Sequence, residues 1–78
     1  MKRQDVYVLI DGERDYQNKK WGEDYNDKEW SIGDWLIFIE RYVKEGKDKL
    51  GHPEERDAIR KIAALAVACM EYYETMPR

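Results

Sequence analysis

One segment near the C-terminus is apolar on nearly every side of a helix. Ile59, Ile62, Ala66, Cys69 and Tyr73 fall on one stripe at helical spacing, and further alanines and a valine extend that stripe almost round the helix. A helix that is apolar all round is buried all round. Because alanine permits close helix approach, the segment is predicted to pack against its copy in another subunit.

The short length of the chain also favours association with another subunit. A chain of 78 residues forms a single domain, residues 1–78, and buries only about 60% of the surface that its unfolded form exposes. The only cysteine is Cys69, which we expect to be a reduced, buried thiol, and no Cys and His cluster has zinc-ligand spacing. We therefore predict a homo-oligomer, at least a dimer, whose subunits complete one another's cores.

The charge pattern excludes several classes of protein. Charged residues make up 40% of the chain but leave a net charge of only -3, so neither a basic nucleic-acid surface nor an acidic tail is expected. The longest apolar stretch, residues 62–70, is shorter than the roughly 20 residues of a membrane span, and no signal-like segment follows the first residues. We expect a soluble, cytoplasmic protein without membrane or nucleic-acid partners.

Helix start and stop signals predict an all-α fold. Ser31 and Asp34 form a variant of the capping box, in which a hydroxyl and a carboxylate serve the free N–H groups of a helix start. Gly22 ends the first helix, and a polar loop is expected over residues 23–29. The second helix is expected to fray over residues 46–50, Gly51 and His52 form the turn, and Pro53 suits a first helical position. We predict a three-helix protomer, with helices over about 5–21, 32–48 and 53–75, that assembles into an oligomeric helical bundle.

The first helix places polar residues on its apolar face. The N-terminal half of this face carries Val6, Leu9 and Ile10, which predicts core packing. The second half carries polar residues, with an arginine and an indole at the edge: Glu13, Gln17, Lys20, Arg14 and Trp21. A buried polar group left unpaired costs about 1–3 kcal/mol, so this half must meet water, partner side chains or a ligand.

A bound ligand is the preferred explanation for the polar residues on this face of the first helix. Donors, an acceptor and a stacking ring converge at one place, as in small-molecule sites, although a solvated helix end remains an alternative. Asp34 is expected to cap its helix and could also contact a ligand. His52 stands alone in a turn, and neither it nor Cys69 has the neighbours that catalysis requires. We predict no catalytic residue and no metal ligand.

Two motifs resemble a known family. Residues 13–22 read ERDYQNKKWG, which resembles the E-R-x-x-Q-x-x-K-W-G opening of short phage MazG-like proteins, and residues 63–71 read AALAVACME, similar to the A-A-x-A-V-A-x-x-E stretch of their last helix. The resemblance implies an all-α nucleoside triphosphate pyrophosphohydrolase that oligomerises into a helical bundle. Family members hold Mg²⁺ with carboxylates on two helices.

The chain departs from this family at the metal ligands. The resemblance places the three carboxylate positions of the second helix on Asp34, Trp35 and Phe38, and the pair on the last helix on Ala58 and Lys61. One carboxylate beside a lysine is a poor Mg²⁺ site. A lysine in such a position neutralises phosphate charge without generating a nucleophilic hydroxide.

The leading prediction is therefore a non-catalytic, phage-encoded nucleotide-binding protein of the host cytoplasm that needs no cofactor. It would sequester a nucleotide or a cyclic nucleotide signal of host defence, as an anti-defence sponge. Trp21 would stack on a base while polar groups read its edges or the ribose and cations meet phosphate. The predicted ligand-binding residues are Glu13, Arg14, Gln17, Lys20, Trp21, Asp34 and Lys61.

Two other functions stay open. The first is a Mg²⁺-dependent nucleoside triphosphate pyrophosphohydrolase that recruits its carboxylates from Glu13, Asp34, Glu40 or Asp57. The second is a structural or protein-binding helical module, which would neither bind nor hydrolyse nucleotides.

Overall fold

A computed structural model of the chain describes residues 1–22, 30–74 and 77–78. It contains three helices, α1 (Arg3–Trp21), α2 (Ile32–Asp48) and α3 (Glu55–Tyr72), and no strand within these residues. The all-α prediction with three helices is therefore confirmed. None of the helices is long and apolar enough to cross a membrane, as far as the described residues show. The predicted polar loop over residues 23–29 lies outside the described residues.

The helix ends lie within three residues of the predicted ones, with α1 beginning at Arg3 instead of about residue 5 and α3 ending at Tyr72 instead of about residue 75. The Asp34 N–H donates to Ser31 Oγ at 3.1 Å and the Ser31 N–H donates to Asp34 Oδ2 at 2.9 Å, which confirms the capping box. Gly22 and Gly51 have φ of 78° and 86°, a conformation that glycine adopts without steric cost. The prediction that α3 begins at Pro53 is wrong by two residues, because the Glu55 carboxylate accepts from the Gly51 N–H and prolongs the turn.

Helix α3 is the centre of the molecule. It packs against both α1 and α2, and each of those helices makes most of its tertiary contacts with α3. In the described part of the chain, the buried apolar core is small and consists of one residue of α2 and three residues of α3. Its members in the described residues are Trp35, Ala64, Leu65 and Ala68.

Aromatic rings extend this core along α2. Phe38 makes edge-to-face contacts with Trp21, Trp30 and Tyr42, at ring-centroid distances of 5.9, 5.1 and 5.3 Å. Such pairs contribute about 0.5–1.5 kcal/mol each beyond the area that they bury. The Tyr73 hydroxyl donates to the Trp30 carbonyl group, which ties the end of α3 to the segment before α2. Through Phe38, the last residue of α1 is therefore packed against α2.

Helix α1 reverses the predicted distribution of core and polar residues. Val6 and Leu9 are 37% and 46% exposed, so the prediction that this half of the helix forms core is wrong for the single chain. The buried residues of α1 are instead Glu13, Arg14 and Gln17. Helix α1 meets α3 through its middle turns and leaves its first turns uncovered.

The outer side of α3 is also uncovered. Ile59 and Met70 are 69% and 53% exposed, and Ala66 between them is exposed too. Burial of this helix on all sides therefore depends on another subunit and stays a prediction. Cys69 is half-buried where we expected burial, and the burial that it does have raises the pKa of its thiol.

Two helical glycines provide a matched test of the α2–α3 packing. A Cβ atom added at Gly46 would lie 2.9 Å from the Ala58 Cβ, whereas one added at Gly12 meets no heavy atom within 4 Å. We expect Gly12→Ala to raise the free energy of unfolding by about 0.5–1 kcal/mol through helix propensity. Gly46→Ala should lower it, because overpacking costs about 1–3 kcal/mol. Urea denaturation measures both, and equal stabilisation would contradict the close approach of α2 and α3.

Candidate functional site

All three helices line one cavity of about 320 Å³. This volume falls at the lower end of the range of about 300–1,000 Å³ that small-molecule sites occupy. Five of the predicted ligand-binding residues line it, namely Glu13, Gln17, Lys20, Trp21 and Lys61. The other lining residues are Tyr16, Tyr42, Asp57 and Arg60.

Helical spacing explains why these side chains meet. Four of the α1 residues stand at positions 13, 16, 17 and 20, which follow the i, i+3, i+4, i+7 repeat of one helix face. On α3, positions 57, 60 and 61 repeat the same spacing. Helix α2 contributes Tyr42 to the described lining, and this ring makes an edge contact with Phe38.

Arg60 joins the two acidic residues of the cavity. Its Nε donates to Glu13 Oε1 at 2.7 Å, and its Nη1 donates to Asp57 Oδ1 at 3.1 Å. The Glu13 side chain is only 7% exposed, so its charge depends on this partner, while Arg60 is 38% exposed. The hydrogen bond to Glu13 is the main cause that raises the pKa of Arg60. Both carboxylates are thus committed to one guanidinium group.

The two lysines of the cavity differ from Arg60 in this respect. Lys20 and Lys61 are exposed, and neither takes part in an ion pair with any described residue. The backbone carbonyl of Lys61 accepts from Gln17 Nε2 at 3.4 Å, a contact that does not use the ammonium group. Their ammonium groups are therefore the charges that an anionic ligand would meet.

Three aromatic side chains give the cavity apolar surface. Trp21 is half-buried and Tyr16 is 57% exposed. Burial raises the pKa of Tyr42, with the charges of Glu45 and Glu13 acting in the same direction and Arg41 in the opposite one. A tyrosine phenol is protonated at neutral pH even at its ordinary pKa, so Tyr42 can donate a hydrogen bond.

The structure leaves two predicted residues outside this cavity. Arg14 donates from Nε and Nη2 to the two oxygens of Glu71, at 3.2 and 3.0 Å, and its side chain is 5% exposed. The ion pair with Glu71 fastens α1 to α3. Within α1, Arg14 also donates from Nη1 to Gln17 Oε1 at 3.4 Å. Asp34 caps α2 and lines a different cavity together with Trp30.

The carboxylates that the hydrolase alternative would recruit do not fit a Mg²⁺ site. Glu13 and Asp57 line the cavity, but the Arg60 guanidinium takes the position between them that a cation would need. Glu40 is exposed on α2, and Asp34 is engaged as a cap. Within the described residues, no three His, Cys, Asp or Glu side chains come together as potential metal ligands.

Comparisons of the chain with protein-family models, curated proteins and solved structures give no significant match. The resemblance to MazG-like proteins therefore remains a prediction that rests on its two motifs.

Sequence reasoning missed four of the lining residues as ligand contacts. Arg60 had a usable signal, because Asp57, Arg60 and Lys61 form a charged face at the start of an otherwise apolar helix. Asp57 entered only through the hydrolase alternative. Tyr16 and Tyr42 fell on apolar stripes, where a tyrosine in a core and a tyrosine beside a cavity have the same spacing.

Removing either side chain of the Arg14–Glu71 ion pair should lower the free energy of unfolding, but by different amounts. Glu71→Met leaves the buried Arg14 guanidinium without a carboxylate, and we expect it to lower the free energy of unfolding by about 2–3 kcal/mol. Arg14→Met leaves a carboxylate that is 55% exposed and can be hydrated, so its cost should be about 1 kcal/mol. Urea denaturation of both variants and of the double variant measures the coupling, and equal costs would contradict the burial of Arg14.

Proposed function

We propose that this chain is a non-catalytic nucleotide-binding protein whose ligand lies in the cavity between α1, α2 and α3. The observation that supports this most is one cavity that combines aromatic rings with two lysine ammonium groups outside any ion pair among the described residues. A planar base linked to a phosphate has the complementary chemistry. Rings and cations of this kind are the usual means of holding a nucleotide.

Each part of the lining has a role in this proposal. The half-buried Trp21 offers a ring on which a base stacks, an interaction worth about 1–3 kcal/mol. Lys20 and Lys61 meet the phosphate. The Glu13 oxygen that does not accept from Arg60 accepts a hydrogen bond at the base edge or the ribose, and the Gln17 N–H that is not used in the bond to Lys61 donates there.

We propose a non-catalytic protein because Arg60 engages the two carboxylates of the described lining. A general base must be able to take a proton, but Glu13 and Asp57 both accept charged hydrogen bonds from Arg60. The carboxylate oxygens that accept these bonds are already engaged when a ligand enters the cavity. The cavity is accordingly better suited to holding a ligand than to cleaving it.

The biological use that we propose is sequestration. A protein that binds a nucleotide or a cyclic nucleotide without consuming it lowers the free concentration in proportion to its own abundance. The resemblance to short phage MazG-like proteins supports a phage-encoded sponge for a nucleotide signal of host defence, acting in the host cytoplasm.

We also propose that the protein works as a homo-oligomer assembled through the outer stripe of α3, defined by Ile59, Ala66 and Met70. All three residues are exposed in the single chain, which exposes many other large apolar side chains. Ala66 follows Asp57 by nine residues, or about two and a half helical turns, so this stripe faces away from the cavity. Assembly through it would leave the cavity open.

Ligand binding is tested by thermal-shift measurements and by replacing two adjacent lysines of α1 one at a time. Nucleotides and cyclic nucleotides should raise the melting temperature of the unmodified protein without releasing hydrolysis products in the presence of Mg²⁺. Lys20→Ala should weaken affinity by about fivefold or more, because it removes a phosphate-facing charge. Lys19→Ala is the matched control, since Lys19 is exposed and does not line the cavity.

Two results would contradict this function. Release of pyrophosphate or monophosphate would favour the hydrolase, and absence of any thermal shift across the panel would favour a structural module. Lys20 is a cleaner probe than Trp21, because loss of the indole would also remove its packing against Phe38.

Assembly is tested by placing a charge in the outer stripe of α3. Ala66→Glu should convert the oligomer to monomers and lower stability, because a carboxylate would be buried between apolar surfaces. Light scattering after size-exclusion chromatography measures the mass. Lys44→Glu adds a carboxylate at an exposed position of α2 and should leave assembly intact. An unchanged oligomer in the Ala66 variant would show that the stripe is not the interface.

A further inference from the structure

The described lining residues are only weakly positive together. Lys20, Arg60 and Lys61 contribute three positive charges, and Glu13 and Asp57 contribute two negative ones, which leaves a net formal charge of +1 over the lining residues that the structure describes. A ligand that enters therefore meets attraction from the lysines and repulsion from the carboxylates at close range. This balance limits the charge that the site can accept.

The positive and negative charges of the described lining fall into two groups. Arg60 is bound to both carboxylates, so this triad of Glu13, Asp57 and Arg60 carries a net charge of -1 within the cavity wall. The remaining positive charge belongs to the ammonium groups of Lys20 and Lys61, which lie outside any ion pair in the described part of the chain. Two ammonium groups match one phosphate group, which carries one or two negative charges.

A triphosphate would be a poorer match. It carries about four negative charges at neutral pH, and proteins usually neutralise that excess with a bound Mg²⁺ ion and further cations. Here the carboxylates that could hold Mg²⁺ are occupied by Arg60, and the same carboxylates repel additional phosphates. Each added phosphate therefore brings more repulsion without a new partner among the lining residues.

We infer that the site selects nucleotides with a single phosphate group, either a monophosphate or a phosphodiester such as a cyclic nucleotide, over nucleoside triphosphates. This inference rests on the proposed function and specifies its ligand class. Monophosphates and cyclic mononucleotides share this chemistry, because each has one phosphate attached to one nucleoside.

The test is an affinity series on one nucleoside, measured by calorimetry at low salt with EDTA present. The series is adenosine, 5′-AMP, 3′,5′-cyclic AMP and ATP, repeated with the guanine compounds. AMP or cyclic AMP should bind about tenfold more tightly than adenosine, because two lysines meet the phosphate. ATP should bind no more tightly than the better of these two, and comparing AMP with cyclic AMP distinguishes a terminal phosphate from a phosphodiester.

A charge variant tests the cause. Glu13→Gln keeps an oxygen that can accept from Arg60 Nε but raises the net charge of the lining to +2, so the ratio of ATP affinity to AMP affinity should increase about threefold to tenfold. Glu40→Gln is the control, because Glu40 is exposed and does not line the cavity. The unmodified protein gives a second measurement, since added salt should reduce the discrimination against ATP.

The outcomes separate this inference from the function on which it rests. An affinity that rises from AMP to ATP in EDTA would overturn the single-phosphate selection and leave nucleotide binding intact. An unchanged ATP to AMP ratio in Glu13→Gln, together with no effect of salt on it, would overturn the electrostatic cause. If no compound in either series binds, the proposed function fails as well.

Discussion

The interaction on which this structure depends is the bridge that Arg60 forms between Glu13 and Asp57. It connects the middle of α1 to the start of α3, and it forms part of the wall of the cavity between them. The same guanidinium donates a hydrogen bond to each of the two carboxylates. A contact that stabilises the fold thus also determines which charges a ligand encounters.

The two flanking helices are held to α3 by different forces. Helix α1 is joined through charged and amide groups, including the Arg14–Glu71 pair, whereas α2 is joined through the buried Trp35 and the close contact of Gly46 with Ala58. Polar contacts are directional and specify geometry, and apolar contacts provide most of the free energy. The cavity lies where these two kinds of interface meet, which explains its mixed lining.

The sequence was informative about elements and about one helix face. The capping box at Ser31, the stop at Gly22 and the face shared by Glu13, Gln17 and Lys20 were all read from local spacing, and the structure brings those three polar residues to one cavity. The roles of Val6 and Arg14 were not predictable in this way. Both depend on where α1 crosses α3, and the wheel of a single helix contains no information about its crossing point.

Trp21 lies at the junction of the cavity and the aromatic cluster, with its ring against Phe38, which in turn contacts Trp30. A base that stacks on this indole would alter its polarity and its exposure to water. The chain would then report on the cavity through its ultraviolet emission, because ring contacts through Phe38 connect Trp21 to Trp30 and Trp35. Occupancy of the cavity would be readable from the emission spectrum of the unlabelled chain.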